Sequence, residues 1–187
     1  MMTVLDSPES RETVFPLSLE FYHEAGKLGM IGEDVELLEG VLFKKMPKSP
    51  LHETMVRRLM RILRACIPPG HFLSKEGPIT CARSEPEPDI AVIAGDEEDF
   101  SLSHPATAEL IIEVAINTQQ RDRSKAGIYA EAGVKEYWLV EPESKTLTLY
   151  TRPSGSGYES TTVTLLTGLV TSTVFPGFTL ELSELFA

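Results

Sequence analysis

The chain has 187 residues, of which 42% are hydrophobic and 24% charged, and its formal net charge is −11 at pH 7. This composition is ordinary for a globular protein and predicts one domain large enough for a β-sheet covered by helices. No apolar run approaches the roughly 18 residues of a membrane-spanning helix. The acidic, polar start excludes a secretory signal peptide, and the two cysteines lack metal-type spacing, so we expect a cytoplasmic protein with free thiols.

The charge is unevenly distributed along the chain. Residues 44–64 contain seven basic side chains and one acid, whereas residues 85–99 contain seven acids and no base. The overall acidity argues against a nucleic-acid partner when it is taken alone. Because the charges are separated, however, the folded protein can still present a basic face, and a nucleic-acid partner is not excluded.

The first third of the chain predicts a helix, a hairpin and a second helix. We expect residues 1–17 to be a flexible segment and residues 18–187 to form a single domain. Ser18 is a helix-capping residue, and the hairpin over residues 36–45 turns at Gly40. The second helix begins near Pro50 and ends before the sequence Pro-Pro-Gly at residues 68–70.

The second predicted helix is amphipathic, with apolar side chains on one face and arginines on the other. Such a basic face could contact phosphates, although a solvated polar face is the alternative reading. The candidate contacts are Arg57, Arg58, Arg61 and Arg64. For His52, at the helix start, we expect a local cap-type hydrogen bond rather than a place in an active site.

Two carboxylates occupy short apolar segments that we interpret as core strands. Asp89 begins the strand that follows Pro88, and Glu113 interrupts the apolar run of residues 110–116. A buried carboxylate needs a compensating partner, because an unpaired buried charge is costly. Two carboxylates side by side form a hard-oxygen site of the kind that Mg²⁺ prefers, and such a site suits attack on a phosphodiester.

The segment after Glu113 predicts a helix that ends at Gly133. On a helical wheel, Lys125 lies on the same side as Ile128 and Tyr129, the face that should pack on the sheet. A lysine there is unexpected unless it is paired, and Lys125 is therefore the candidate cation for the buried carboxylate. Three strands over residues 134–140, 145–152 and 158–166 follow, and the apolar tail is expected to close the core.

A set of motif residues is spread over the chain: Pro88-Asp89, Glu113-Val114, Lys125, Tyr129 and the run AGVKEYW from Ala132 to Trp138. Together they resemble the Uma2 family (DUF820) of the PD-(D/E)XK nuclease superfamily, which is restriction-endonuclease-like. The resemblance extends from Ser18 to Phe178, and the AGVKEYW run is its most specific part. The sequence departs from the family pattern at Ile116 and Asn117, where serine and proline are usual.

The resemblance implies an α/β (mixed α+β) domain with the restriction endonuclease-like fold, a central mixed β-sheet flanked by helices. It implies a Mg²⁺- or Mn²⁺-dependent endonuclease acting on DNA, as a duplex, with a homodimer as the expected assembly. Asp89, Glu113 and the backbone carbonyl of Ala115 would bind the metal. Glu39, or Glu36, is a candidate further ligand. The superfamily lysine usually stands two residues after the glutamate, but the Uma2 pattern moves it to the following helix, where Lys125 matches it.

Two alternatives remain open on sequence grounds. The chain could be a catalytically silent nucleic-acid-binding or accessory protein on the same fold, since fold does not determine function. Asp89, Glu113 and Lys125 could also form a structural ion-pair network, although such networks rarely repay their desolvation.

Overall fold

The structure, a computed structural model, describes residue 9 and residues 12–187. The prediction that residues 1–17 are flexible therefore falls largely outside the described residues. At the end of that segment, the Leu17 N–H donates to the Gly40 carbonyl at 2.8 Å. Within the described ranges, no helix is both long enough and apolar enough to cross a membrane.

The described elements follow one another in mixed α and β order. The helices are α1 (Leu19–Lys27), α2 (Pro50–Arg64), α3 (Gln119–Glu131) and α4 (Leu182–Leu185), with a 3₁₀ turn at Glu97–Phe100. The strands are β1 (Val35–Leu38), β2 (Val41–Lys44), β3 (His71–Ser74), β4 (Ile90–Ala94), β5 (Leu110–Val114), β6 (Glu136–Glu141), β7 (Thr146–Ser154), β8 (Gly157–Leu165), β9 (Leu169–Thr171) and β10 (Thr179–Glu181).

A six-stranded mixed sheet forms the centre of the molecule. Its strands lie in the order β3-β4-β5-β6-β7-β8. Only β5 and β6 run parallel, because α3 carries the chain back across one face between them, whereas the other neighbours are antiparallel. The pairs β1-β2 and β9-β10 form two small separate sheets. The predicted central mixed sheet with flanking helices is confirmed.

The alternation of side chains along β5 divides the apolar residues between two cores. Leu110 and Ile112 face the core that contains the apolar side of α2, whereas Ile111 and Ala115 face the core beneath α3. Both faces of β5 are covered, which explains its nearly continuous apolar sequence. Glu113 lies on the α3 face, as the alternation predicts.

The helix boundaries follow local sequence signals. The Ser18 side chain accepts from the Phe21 N–H, and the Ser49 side chain accepts from the His52 N–H, so both serines act as N-caps. Helix α3 gives way to Gly133, whose φ of +75° lies in the left-handed region that glycine tolerates.

The C-terminal segment is held to β6 by a buried carboxylate. Glu136 is fully buried, and its Oε2 accepts from the Thr173 N–H at 2.8 Å and the Val174 N–H at 3.1 Å. The Ser172 and Thr173 hydroxyls and the Trp138 indole N–H also donate to this carboxylate. The apolar side chains beyond this segment pack into the α2-side core, as the sequence predicts.

Candidate active site

An open cavity of about 540 Å³ lies where β4 begins and β5 ends. The loop between β2 and α2, the first turn of α2 and the first turns of α3 complete its walls. Its lining includes Asp89, Glu113 and Lys125, and the structure therefore brings the three principal candidates from the sequence to one place.

The antiparallel register of β4 and β5 places the two carboxylates side by side. Ile90 pairs with Ile112, so Asp89 lies opposite Glu113 at the next position. The Asp89 N–H donates to Glu113 Oε2 at 3.2 Å, and the Val114 N–H donates to Asp89 Oδ2 at 2.9 Å. Each carboxylate is thus fixed by the backbone of the neighbouring strand.

Lys125 reaches the carboxylates from α3, the crossover helix that returns over this face of the sheet. Its Nζ lies 3.1 Å from Glu113 Oε1, 3.1 Å from Glu36 Oε2 and 3.7 Å from Asp122 Oδ1. The side chain is 5% exposed. Burial lowers the pKa of Lys125, but the three carboxylates outweigh it and the net pKa is raised. The ammonium group is therefore positively charged at every physiological pH.

Burial makes the ionised form of Glu113 unfavourable. Burial raises the pKa of Glu113 to about 8; Lys125 opposes the rise, Asp89 and Asp122 add to it, and a hydrogen bond from the Tyr129 hydroxyl at 2.8 Å opposes it. The protein without a bound cation therefore holds this carboxyl partly protonated near neutral pH.

The pKa of Asp89 is shifted in the opposite direction, below its ordinary value. Burial alone raises its pKa, but the hydrogen bond and charge of His52, the Val114 N–H and the Lys48 ammonium together hold the pKa below its ordinary value. The two neighbouring carboxyl groups therefore differ in protonation, with Asp89 ionised and Glu113 poised to lose a proton.

His52 is a site residue that the sequence interpretation misplaced. The cap-type hydrogen bond exists, but it joins the His52 backbone N–H to Ser49 Oγ at 3.2 Å. The imidazole points the other way, and its Nε2 lies 2.9 Å from Asp89 Oδ2. Because the first turn of α2 faces the cavity, the His52 ring reaches Asp89. The amphipathic pattern of the helix does not predict this contact.

The structure distinguishes between the two acids of the first hairpin. Glu39 is exposed, lies at the β1–β2 turn with a φ of +50° and does not line the cavity. Glu36 lies within β1, is buried and accepts from Lys125. Glu39 is thus not brought to the site, because it lies in the exposed turn of the hairpin. Glu36 lies in β1 and lines the cavity instead.

The backbone of Val114, and not that of Ala115, faces Asp89. The Ala115 N–H donates to the Val140 carbonyl on β6, whereas the Val114 N–H donates to Asp89. The N–H and C=O of one strand residue point to the same edge, so the Val114 carbonyl is directed toward Asp89 and that of Ala115 toward β6. Val114, and not Ala115, lines the cavity.

None of the four arginines on α2 lines the cavity. Arg58 instead donates from Nη1 to the carbonyls of Leu185 at 2.7 Å and Ala187 at 2.6 Å, which attaches the C-terminal segment to α2. The lysines and arginines that line the cavity come from the end of β2, from the β2–α2 loop and from α3. They are Lys44, Lys45, Lys48, Arg121 and Lys125.

The donor set at Asp89 and Glu113 fits a hard divalent cation. Two carboxylates and a backbone carbonyl are oxygen ligands of the type that Mg²⁺ uses, with waters completing its shell. Burial, with the charges of Asp89 and Asp122 adding to it, raises the pKa of Glu113, and a cation at this site would favour the ionised carboxylate. No cluster of three His, Cys, Asp or Glu side chains suited to a metal occurs among the described residues.

The mixed sheet, with an acidic pair on adjacent strands and a buried lysine beside them, agrees with the restriction endonuclease-like fold that the sequence resemblance implies. A crystal structure from Anabaena variabilis, described as "a putative nuclease belonging to DUF820", matches with a TM-score of 0.74 and 19% identity, over 91% of this chain and 98% of that one. The Uma2 family model, described as "Putative restriction endonuclease", matches residues 28–183, and the chain belongs to that family. No curated protein matches the chain.

Proposed function

We propose that this protein is an endonuclease that hydrolyses phosphodiester bonds in double-stranded DNA with Mg²⁺ or Mn²⁺. The observation that carries the proposal is the placement of Asp89 and Glu113 side by side at the cavity wall, with the charged Lys125 at 3.1 Å from Glu113. Membership of the Uma2 family supports nuclease chemistry.

Asp89, Glu113 and the Val114 carbonyl would hold the metal. When bound there, a divalent cation would supply Lewis-acid chemistry for phosphodiester hydrolysis. Lys125 Nζ, fixed by three carboxylates, donates hydrogen bonds at the cavity wall, where it can orient the attacking water or stabilise negative charge on the phosphate. Tyr129 keeps the Glu113 carboxylate in one orientation through its 2.8 Å hydrogen bond.

The substrate backbone would meet the β2–α2 loop rather than the arginine face of α2. Lys44 is 80% exposed and Lys48 is 33% exposed, and both line the cavity. Phosphate contacts by such side chains supply sequence-independent affinity that falls with salt. Replacing Lys44 with Glu should therefore weaken DNA binding and reduce its salt dependence more than Arg61→Glu, a matched change on the exposed face of α2.

Cleavage of supercoiled plasmid at low salt tests the proposal. Wild type with Mg²⁺ or Mn²⁺ should nick and linearise the plasmid, and Asp89→Asn and Lys125→Met should each lose at least about a hundredfold in rate. Glu109→Gln is the matched control, because Glu109 is a carboxylate just before β5 that pairs with the surface Lys135. An intact plasmid with retained DNA binding would instead support a catalytically silent nucleic-acid-binding protein.

Cutting both strands of a duplex favours two copies related by a two-fold axis, and we include a homodimer in the proposal. Light scattering in the presence of a short duplex should give the mass of two chains per duplex. A single chain per duplex, together with nicking that never proceeds to linear product, would refute the dimer and leave the hydrolytic chemistry intact.

A further inference from the structure

We propose that Lys48 is an exchangeable counter-ion of the site: its ammonium neutralises Asp89 before the divalent cation binds and is displaced onto Glu76 when the cation arrives. The inference rests on the proposed function, because it assumes a cation at Asp89. It concerns a lysine that the sequence motifs do not include.

The two oxygens of Asp89 have different surroundings. Oδ2 accepts from the Val114 N–H and contacts His52 Nε2, each at 2.9 Å. Oδ1 has Lys48 Nζ at 3.4 Å. Oδ2 thus already has two partners, and we place the divalent cation at Oδ1, where the Lys48 ammonium lies. Two cations cannot share it without strong repulsion.

Lys48 has a second partner that can retain it. Its Nζ lies 3.1 Å from Glu76 Oε2, closer than to Asp89. Glu76 is itself fixed, because its other oxygen lies 2.8 Å from Lys75 Nζ and its backbone N–H donates to the Asp89 carbonyl at 3.4 Å. A small rotation of the Lys48 side chain would release Asp89 and keep the salt bridge to Glu76.

The position of Lys48 suits a side chain that moves. It lies in the β2–α2 loop, outside any helix or strand, and is one-third exposed. Lys125 differs in each respect, since it is 5% exposed and contacts three carboxylates from a helix. Lys125 is therefore the permanent cation of the site and Lys48 the temporary one. Once displaced, the Lys48 ammonium remains at the cavity wall, where a substrate phosphate can contact it.

This arrangement predicts that Lys48 weakens metal binding. Removing a competing charge at 3.4 Å should tighten Mn²⁺ binding about fivefold in Lys48→Met, a value discounted for the partial exposure of the pair. Lys48→Arg keeps the charge and should bind Mn²⁺ as wild type does. In the presence of metal, Lys48→Met should also bind DNA more weakly, so the two affinities should change in opposite directions.

The experiment is calorimetric titration of each protein with Mn²⁺ in the absence of nucleic acid. Lys45→Met is the matched control, because Lys45 lines the same cavity, is 27% exposed and pairs with Glu87 at 2.7 Å rather than with Asp89. Lys45→Met should bind Mn²⁺ within about twofold of wild type. It removes one positive charge from the cavity, as Lys48→Met does, but Lys45 does not contact Asp89.

Equal tightening in Lys45→Met and Lys48→Met would overturn the inference, because a general change of potential would then explain both. Unchanged or weaker binding in Lys48→Met would overturn it as well. If wild type binds Mn²⁺ and Asp89→Asn does not, such a result would leave the proposed metal site in place. Absence of Mn²⁺ binding in every protein would refute the metal site and the exchange together.

Discussion

The raised pKa of Glu113 predicts that the free energy of unfolding decreases from mildly acidic to mildly basic pH. Between its ordinary pKa of 4.5 and its folded-state value of about 8, Glu113 binds a proton in the folded protein that the unfolded chain has lost. The free energy of unfolding therefore falls as the pH rises through this window. Between pH 5.5 and pH 8 the loss is about 3 kcal/mol, as an upper bound, at 1.36 kcal/mol per pH unit.

The perturbation is Glu113→Gln, which mimics the protonated carboxyl. At pH 5.5 the variant should be about as stable as wild type in the absence of metal. At pH 8.5 it should be more stable, by up to about 3 kcal/mol, because it has no proton to lose. Urea denaturation with EDTA at the two pH values measures the difference.

Asp89→Asn serves as a control, because the pKa of Asp89 is shifted in the opposite direction from that of Glu113. The pKa of Asp89 is lowered, so its ionised form contributes stability that is lost only in acid, below the window of the experiment. Because the Asp89 charge also raises the pKa of Glu113, Asp89→Asn should lower that pKa, and the deficit of the variant relative to wild type should be smaller at pH 8.5 than at pH 5.5. The reasoning is refuted if wild type is equally stable at both pH values, or if Glu113→Gln loses as much stability as wild type does.

Two further substitutions test the fold around the site. Arg58→Met should cost about 1–2 kcal/mol of unfolding free energy, because Arg58 donates to two carbonyls of the C-terminal segment, whereas Arg57→Met on the exposed face should cost less than about 0.5 kcal/mol. Gly40→Ala should cost about 1–3 kcal/mol more than Gly29→Ala in thermal denaturation: both glycines have positive φ, but only at position 40 would the added Cβ meet another atom, Pro16 Cβ at 2.5 Å. Equal losses within either pair would contradict the assigned contacts.

The elements of the fold were predictable where one residue pattern determined them. The apolar run of β5, the amphipathic α2 and the glycine after α3 each required only local sequence. The burial of Lys125 followed from its place on the apolar side of a helical wheel. These features depend on local sequence, and the folded structure contains each of them.

The site was predictable only in part, because several of its contacts join distant segments. Asp89 and Glu113 were found as carboxylates in core strands, but their adjacency depends on the β4–β5 register. His52 contacts Asp89 across 37 positions, and no periodicity reports that contact. The choice of Glu36 over Glu39 had a usable signal, since Gly40 places Glu39 in the turn.

The attachment of the last segment to Glu136 has a consequence for folding during synthesis. The hydroxyl of Ser172 is 36 positions beyond this carboxylate, and the backbone donors follow it along the chain. Until they emerge from the ribosome, β6 carries a glutamate without most of its partners, although all six strands of the central sheet have been translated. We therefore expect the sheet to become stable late, and chains that end before residue 172 to be degraded by proteases.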